Sequence, residues 1–457
     1  MLKKNEIYRA KIIDLNNLGF GVAKIEGMTV FVGGAVDGDE IDARIILVNK
    51  TYAVARIEKM YIPSPHRIAI SSCAKTACGG CAYQSISYAH EKELKESYVR
   101  HAFFKAGLKD VTVTPVLSTD KTEGYRNKAQ YAVGADREGK CIAGFFAPKT
   151  HRIVEAADCP LASPVFAPIV KTIIDYANEN GITPYDEQTG KGTLRHIYLR
   201  ASGDGKVLLT LVINQKSLSD EGKLVSHLGE KHKNIVGIYL NINTEKTNVI
   251  CSDDFRHLWG EERLSDTLAG VPLSLSPASF YQVNRDAAEM LYLFGLKEAA
   301  FSPDDELLDL YCGVGSIGLS MAQGVKSLVG VEIVLSAVEC AKENAKAMGL
   351  SNARFFCADA GKVEELVTSL KNDDGTPYRP TAVILDPPRK GCTPDLLSFL
   401  ANDLKTPKIL YISCNPDTLA RDARILSDFG YSLGKITPVD LFPRTGHVET
   451  IVCLHKQ

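Results

Sequence analysis

Leu308-Asp309-Leu310-Tyr311-Cys312-Gly313-Val314-Gly315-Ser316-Ile317-Gly318 decides how this chain folds. An apolar strand runs into a glycine turn and out into a helix. Glycine has no Cβ, so the turn lets the backbone pass close to a ligand. Glu332 ends the next apolar run, 19 residues after Gly313. A carboxylate there can accept hydrogen bonds from both hydroxyls of a ribose. A tight turn with no ligand is the bland alternative.

Outward from this loop, the segment from about 270 to 457 alternates strands and helices. Strands are predicted over 307–310, 327–331, 382–385 and 409–412, and helices over 313–322 and 337–348. That is the βαβ rhythm of a parallel sheet. The last two strands, 434–441 and 447–455, lie too close for a helical crossover, so they should form an antiparallel hairpin at the sheet edge. The loop also satisfies G-x-G-x-x-G, which keeps a nicotinamide dinucleotide in play. Asp309, placed where it could meet a sulfonium or amino group, and the terminal hairpin favour S-adenosylmethionine. Asp359, after a third short strand, could contact an adenine amino group or merely cap its turn.

Two more strand ends carry chemistry. Asp386-Pro387-Pro388-Arg389 is a stiff loop that points an acid into the crevice above the strands. Amine methylases often place an aromatic after Pro-Pro; Arg389 stands here instead. Ser413-Cys414-Asn415-Pro416 ends the next strand, which puts a thiol in the same crevice. A thiolate adding to C6 of uracil would make C5 nucleophilic. The C5 proton must then go to a base. Glu449, in Gly446-His447-Val448-Glu449-Thr450, is the candidate, and His447 is a weaker one.

The N-terminal part differs. Residues 1–60 hold five short alternating runs between Gly- and Asn-rich turns, the pattern of a small OB-like barrel. Pro63-Ser64-Pro65 marks a linker. Residues 66–268 read as an α+β central domain, with a helical stretch beginning near 87 and extending to 106 or as far as 120, where it could pack on the catalytic domain of residues 269–457. Cys73, Cys78 and Cys81 form C-x4-C-x2-C, and Cys159, followed by Pro160, is a plausible fourth ligand. An iron–sulfur cluster and zinc both suit four cysteines.

Composition bounds the rest. The 457 residues carry a net charge of −2, with 45% hydrophobic and 24% charged residues, ordinary for a globular chain. Residues 1–160 carry 23 Lys and Arg against 18 Asp and Glu, which permits a nucleic-acid surface there. No apolar run is long enough to span a bilayer and no signal core is evident, so the chain reads as soluble and cytoplasmic; a monomer is expected. Tyr125, Arg126, Lys128, Tyr131, Lys149, His151 and Arg152 are candidates for gripping RNA by phosphate contact and stacking.

The four motifs Asp309–Gly318, Asp386–Gly391, Tyr411–Pro416 and Gly446–Thr450, in this order, resemble those of the RNA uracil-5-methyltransferases of the TrmA/RumA type. The resemblance covers nearly the whole chain. It implies a class I methyltransferase fold, α/β with a Rossmann-like sheet. It implies Cys414 as nucleophile and Glu449 as base. It also implies S-adenosylmethionine held by Gln282, Tyr311, Glu332 and Asp386, beside Gly313 and Asp359 from the loop reading. The barrel resembles a TRAM domain, which tilts the substrate toward 23S ribosomal RNA, as in the RumA/RlmD branch, with a flipped uridine. That branch implies a [4Fe–4S] cluster on Cys73, Cys78, Cys81 and Cys159. A nicotinamide-dependent oxidoreductase and a non-catalytic RNA-binding factor are the competing readings. The first leaves the Asp-Pro-Pro-Arg and Ser-Cys-Asn-Pro loops without a task.

Overall fold

The apolar four- to six-residue runs of the C-terminal segment pair as parallel strands because each is buried on both faces. In the computed structural model, which describes all residues except 1, 70–72, 74 and 373, they form an eight-stranded sheet. Its order is Ala353–Cys357, Ser327–Glu332, Glu306–Leu310, Ala382–Leu385, Lys408–Ser413, Glu449–Lys456, Tyr431–Leu433, with Thr437–Val439 also paired to Glu449–Lys456. The first five strands run parallel and Glu449–Lys456 runs against them. The expected terminal hairpin forms, with Val439 opposite Glu449. Strand order reverses between Glu306–Leu310 and Ala382–Leu385, and the carboxyl ends of these strands flank a crevice there. Apolar clusters cover both faces: Leu307, Leu328 and Ile384 on one, Leu308, Val329 and Val383 on the other.

The N-terminal unit is a six-stranded sheet, one strand more than expected because Asp14–Leu15 pairs separately with Phe20–Ile25. Its alternating residues Ala23, Val30, Val32, Ile41, Ala43 and Ile45 fill its interior. The central unit is a seven-stranded sheet running from Lys128–Ala135 to Phe255–Gly260, covered by helices Phe166–Glu179 and Glu221–Lys231.

One boundary follows the shorter of the two sequence readings, and another differs. The long helix spans Tyr88–Lys105 and stops there, capped at its start by Ser87. Beyond it the chain is extended: Val113 and Leu117 bridge to Ile436 and Val439. Gly107, with φ of 85°, ends the helix, since only glycine turns left-handed without strain. Val99, Ala102 and Phe103 pack into the catalytic core with Leu419, Ala420 and Ala423 of helix Pro416–Asp428. The break placed at 268/269 falls in the turn of a hairpin, Leu264–Leu268 with Val271–Leu275, whose apolar residues join the catalytic core. Among the described residues, no helix is long and apolar enough to cross a membrane.

Candidate active site

The strand Glu306–Leu310 ends in a turn where Tyr311, Gly313 and Gly315 all take positive φ, of 65°, 55° and 79°. The N–H of Gly313 donates to Glu332 Oε2 at 3.1 Å, and the N–H of Val334 to Glu332 Oε1 at 2.9 Å. Glu332 thus braces the loop from the neighbouring strand end. Gly318 sits so close to Asp309 that a Cβ there would come within 2.6 Å of Asp309 Oδ2. That oxygen accepts the Gly318 N–H at 3.0 Å and pins the helix start to the strand. Asp309 is fully buried, and burial, with Asp386 and Glu332 nearby, pushes its carboxyl up to about 8. It does not reach the cavity, so the expected contact with a sulfonium or amino group is replaced by a structural one.

The two reaction loops are tied together. Asn415 Nδ2 donates to the carbonyl of Arg389 at 3.0 Å, and Thr418 Oγ1 to the same oxygen at 3.3 Å. Behind them Asp422 Oδ2 accepts from Tyr411 Oη at 2.6 Å and from the Cys392 N–H at 2.8 Å. These bonds fix Asp386-Pro-Pro-Arg against the strand end that carries Cys414. A cavity of about 560 Å³ results, lined by Gln282, Tyr311, Gly313, Glu332, Asp386, Arg389, Cys414, His447 and Glu449, among others. Motifs that lie more than 160 residues apart in the sequence therefore share one pocket. Gln282 is placed by its own carbonyl, which accepts from Asn127 Nδ2 at 2.9 Å. Tyr292 Oη and Ser316 Oγ, 3.1 Å apart, close the floor.

The pocket is acidic and starved of positive charge. Burial raises Asp386 to about 7. Burial and Asp386 push Glu449 well above the ordinary carboxylate range, and Arg389 pulls the other way. Burial, then Glu449 and Asp386, raise the Cys414 thiol to about 11, again opposed by Arg389. A cation bound among these groups would be stabilised and would lower all three. The chemistry such a set supports is nucleophilic attack by sulfur with a carboxylate to move a proton.

Asp359 does not line this cavity. Its carboxylate caps the short helix Ala360–Lys362, accepting the Gly361 N–H at 2.9 Å, which is the capping alternative. Tyr125 and Tyr131 are core residues rather than an RNA surface: the Tyr125 hydroxyl donates to the Pro443 carbonyl, and Tyr131 is fully enclosed in the central core. Lys149, His151 and Arg152 are exposed. Sequence reading missed a buried charge cluster under the site. Lys95 Nζ, on the long helix, donates to Glu91 Oε1 and Asp440 Oδ1, both at 2.8 Å, and to the Phe442 carbonyl at 3.2 Å. It anchors the segment 440–447 that brings Phe442 and His447 to the pocket. No periodicity marks Lys95 as different from the solvated lysines of the same helix.

The four cysteines gather at the seam of barrel and central unit. Cys73, Cys78 and Cys81 line a groove with Gly34 and Arg67, and Cys159 approaches from the central unit. Burial and the neighbours Cys159, Cys78 and Cys73 push the Cys81 thiol up to about 12, with Arg126 as the counterweight. Four thiols that disfavour one another's ionisation are a donor set a metal or cluster would relieve, so these residues fit such a group.

The family described as tRNA (Uracil-5-)-methyltransferase matches residues 87–457, and the TRAM domain matches residues 2–57. An uncharacterized RNA methyltransferase of Clostridium tetani is 36% identical over 454 residues, 99% of this chain and 97% of that one. One of Listeria monocytogenes is 37% identical over 460 residues, covering 100% and 99%. The crystal structure of the Pyrococcus abyssi tRNA (uracil-54, C5)-methyltransferase in complex with S-adenosyl-L-homocysteine superposes with a TM-score of 0.77 at 26% identity, covering 98% of this chain and all of that one. The chain is an RNA methyltransferase with an N-terminal TRAM domain, and it belongs to the tRNA (uracil-5-)-methyltransferase family.

Proposed function

We propose that this protein methylates C5 of a uridine in 23S ribosomal RNA, with S-adenosylmethionine as methyl donor and a covalent bond from Cys414 to uracil C6. The observation that carries the reading is one cavity holding Cys414 and Glu449 beside the glycine loop, Glu332 and Asp386. Gln282, Tyr311, Gly313, Glu332 and Asp386 would hold the donor, which supplies an electrophilic methyl on a cationic sulfur. Its charge suits a pocket crowded with carboxyls.

Cys414 gives its thiol proton to water and its Sγ bonds to C6, while the C5–C6 π pair shifts to form an enolate. C5 of that enolate then bonds to the methyl carbon as the carbon–sulfur bond of the donor breaks, the electron pair staying on sulfur, which leaves as a neutral thioether. Glu449 accepts the proton left on C5, the double bond re-forms, and Sγ departs. A uridine inside a helix could not present C6 to Cys414, so the base must leave its stack. Cys73, Cys78, Cys81 and Cys159 would hold a [4Fe–4S] cluster, with zinc as the alternative, to order the loop between barrel and catalytic unit.

A transfer-RNA target is the second reading, favoured by the end-to-end match to the Pyrococcus abyssi enzyme. Mass spectrometry of ribosomal and transfer RNA from a deletion strain separates them. Loss of 5-methyluridine from 23S ribosomal RNA is expected. Loss from transfer RNA alone would move the substrate, and loss from neither would overturn the reading.

A further inference from the structure

Asp37, His66 and His90 come from three parts of the chain: a barrel turn, the linker leaving the barrel, and the helix Tyr88–Lys105. One ligand atom of each lies within 4.8 Å of the other two. None of them lines the cavity of Cys414. His90 is buried, and its Nδ1 meets Glu93 Oε2 at 2.9 Å. Its Nε2 faces Asp37, 2.9 Å from each carboxylate oxygen. The His66 ring lies over that of His90, with centroids 3.6 Å apart and planes at 7°. Among the described residues, no side chain is hydrogen-bonded to a His66 ring nitrogen.

We propose that Asp37, His66 and His90 form a site for one divalent transition metal, zinc by the chemistry of its donors, that clamps the TRAM barrel to the catalytic unit. Two imidazoles and a carboxylate are a common zinc set, and three protein ligands leave a fourth position to water. Glu93 supplies what ligating histidines usually have, a carboxylate on the other ring nitrogen that fixes tautomer and orientation. The surroundings hold the backbone that carries the donors. The Ser87 N–H donates to the His66 carbonyl at 2.8 Å, and Arg67 pairs with the buried Asp39, two residues from Asp37. Seating the ion exchanges the proton on His90 Nε2 for metal. It also tilts the partly exposed His66 ring out of the stack, since in-plane lone pairs of two parallel rings do not meet at a point. The helix Tyr88–Lys105 that carries His90 also carries Lys95, so the clamp joins the barrel to the element that anchors the segment before Glu449.

The test is calorimetric titration of the full-length protein with zinc chloride, paired with difference spectra on adding cobalt(II). One zinc per chain is expected in addition to whatever the four cysteines bind, with cobalt bands lacking thiolate charge transfer. His66→Ala, at a partly exposed position, and Asp37→Asn should each weaken this binding at least tenfold. Cys159→Ser should leave it unchanged. Binding that survives His66→Ala, or that disappears with Cys159→Ser, would assign the metal to the cysteines and overturn the site. No binding by the parent chain would leave His90 as an imidazolium bridging Asp37 and Glu93, which also overturns it.

Discussion

Ser413 and Thr450 are the last opposed pair of two antiparallel strands, so Cys414 and Glu449 leave the sheet side by side at its carboxyl-end edge. Adjacent strands lie about 4.8 Å apart, which is the reach of a thiol and a carboxylate serving one bound base. Glu449 is also held from its other side by Val439. Glu449 is thus placed by the backbone ladder, and Cys414 is the first residue beyond it.

On the proposed mechanism Cys414 bonds the base and not the donor, so Cys414→Ala should reduce methyl transfer to background while leaving S-adenosylmethionine binding within about twofold. Tritium transfer and calorimetry measure the two separately. Transfer at parental rates would remove Cys414 from the nucleophile's role.

Glu449→Gln keeps the shape of the side chain and loses the base. Release of the C5 proton stalls after methyl transfer, so a covalent protein–RNA adduct should accumulate and survive a denaturing gel. Ordinary turnover without adduct would pass the proton to His447 or to water.

Arg389→Ala deletes the cation that opposes burial at both Cys414 and Glu449. Both groups then hold their protons to higher pH, and the rising limb of the kcat/KM profile should move to more alkaline pH. An unmoved profile would mean that the guanidinium charge is not felt at the reacting groups.

Asp309 binds its proton more tightly folded, at about 8, than an unfolded aspartate does at about 3.9. The folded state therefore binds more protons across that interval, and its stability falls as pH rises from about 4 to 8. Asp309→Asn keeps an oxygen for the Gly318 N–H and removes the titration. It should be more stable than the parent by about 1–3 kcal/mol at pH 8 and nearly equal to it at pH 4 in urea unfolding.

Lys95→Met leaves the fully buried Asp440 without its cation and Glu91 with only the Arg444 guanidinium, 3.7 Å away. A destabilisation of about 3–5 kcal/mol is expected, the cost of breaking a buried pair from one side. The double variant Lys95→Met with Glu91→Leu should recover part of it.

Much of the catalytic unit was legible because parallel strands buried on both faces are short apolar runs, and glycine turns between strand and helix interrupt them visibly. The runs at 307–310, 327–331 and 382–385 match observed strands to within one residue. The five runs of the barrel were legible for a related reason, since strict alternation marks a half-buried strand; only the two-residue strand Asp14–Leu15 was too short to leave a pattern. The helix ends at Lys105 because the left-handed turn at Gly107 stops it, ahead of the Val- and Thr-rich extended run 111–117.

The sequence by itself determined the fold class, the glycine loop, and which acids and thiols stand at strand ends, because strand period and turn chemistry are local properties of the chain. Only the tertiary structure decided what each charged group does. Asp309 turned inward to hold Gly318, Asp359 capped its own turn, Tyr125 and Tyr131 went into cores, and Lys95 became a buried anchor. The reason is physical: burial and protonation depend on what the whole fold packs around a side chain, and for Tyr125 and Lys95 the partners Pro443 and Asp440 lie more than 300 positions away.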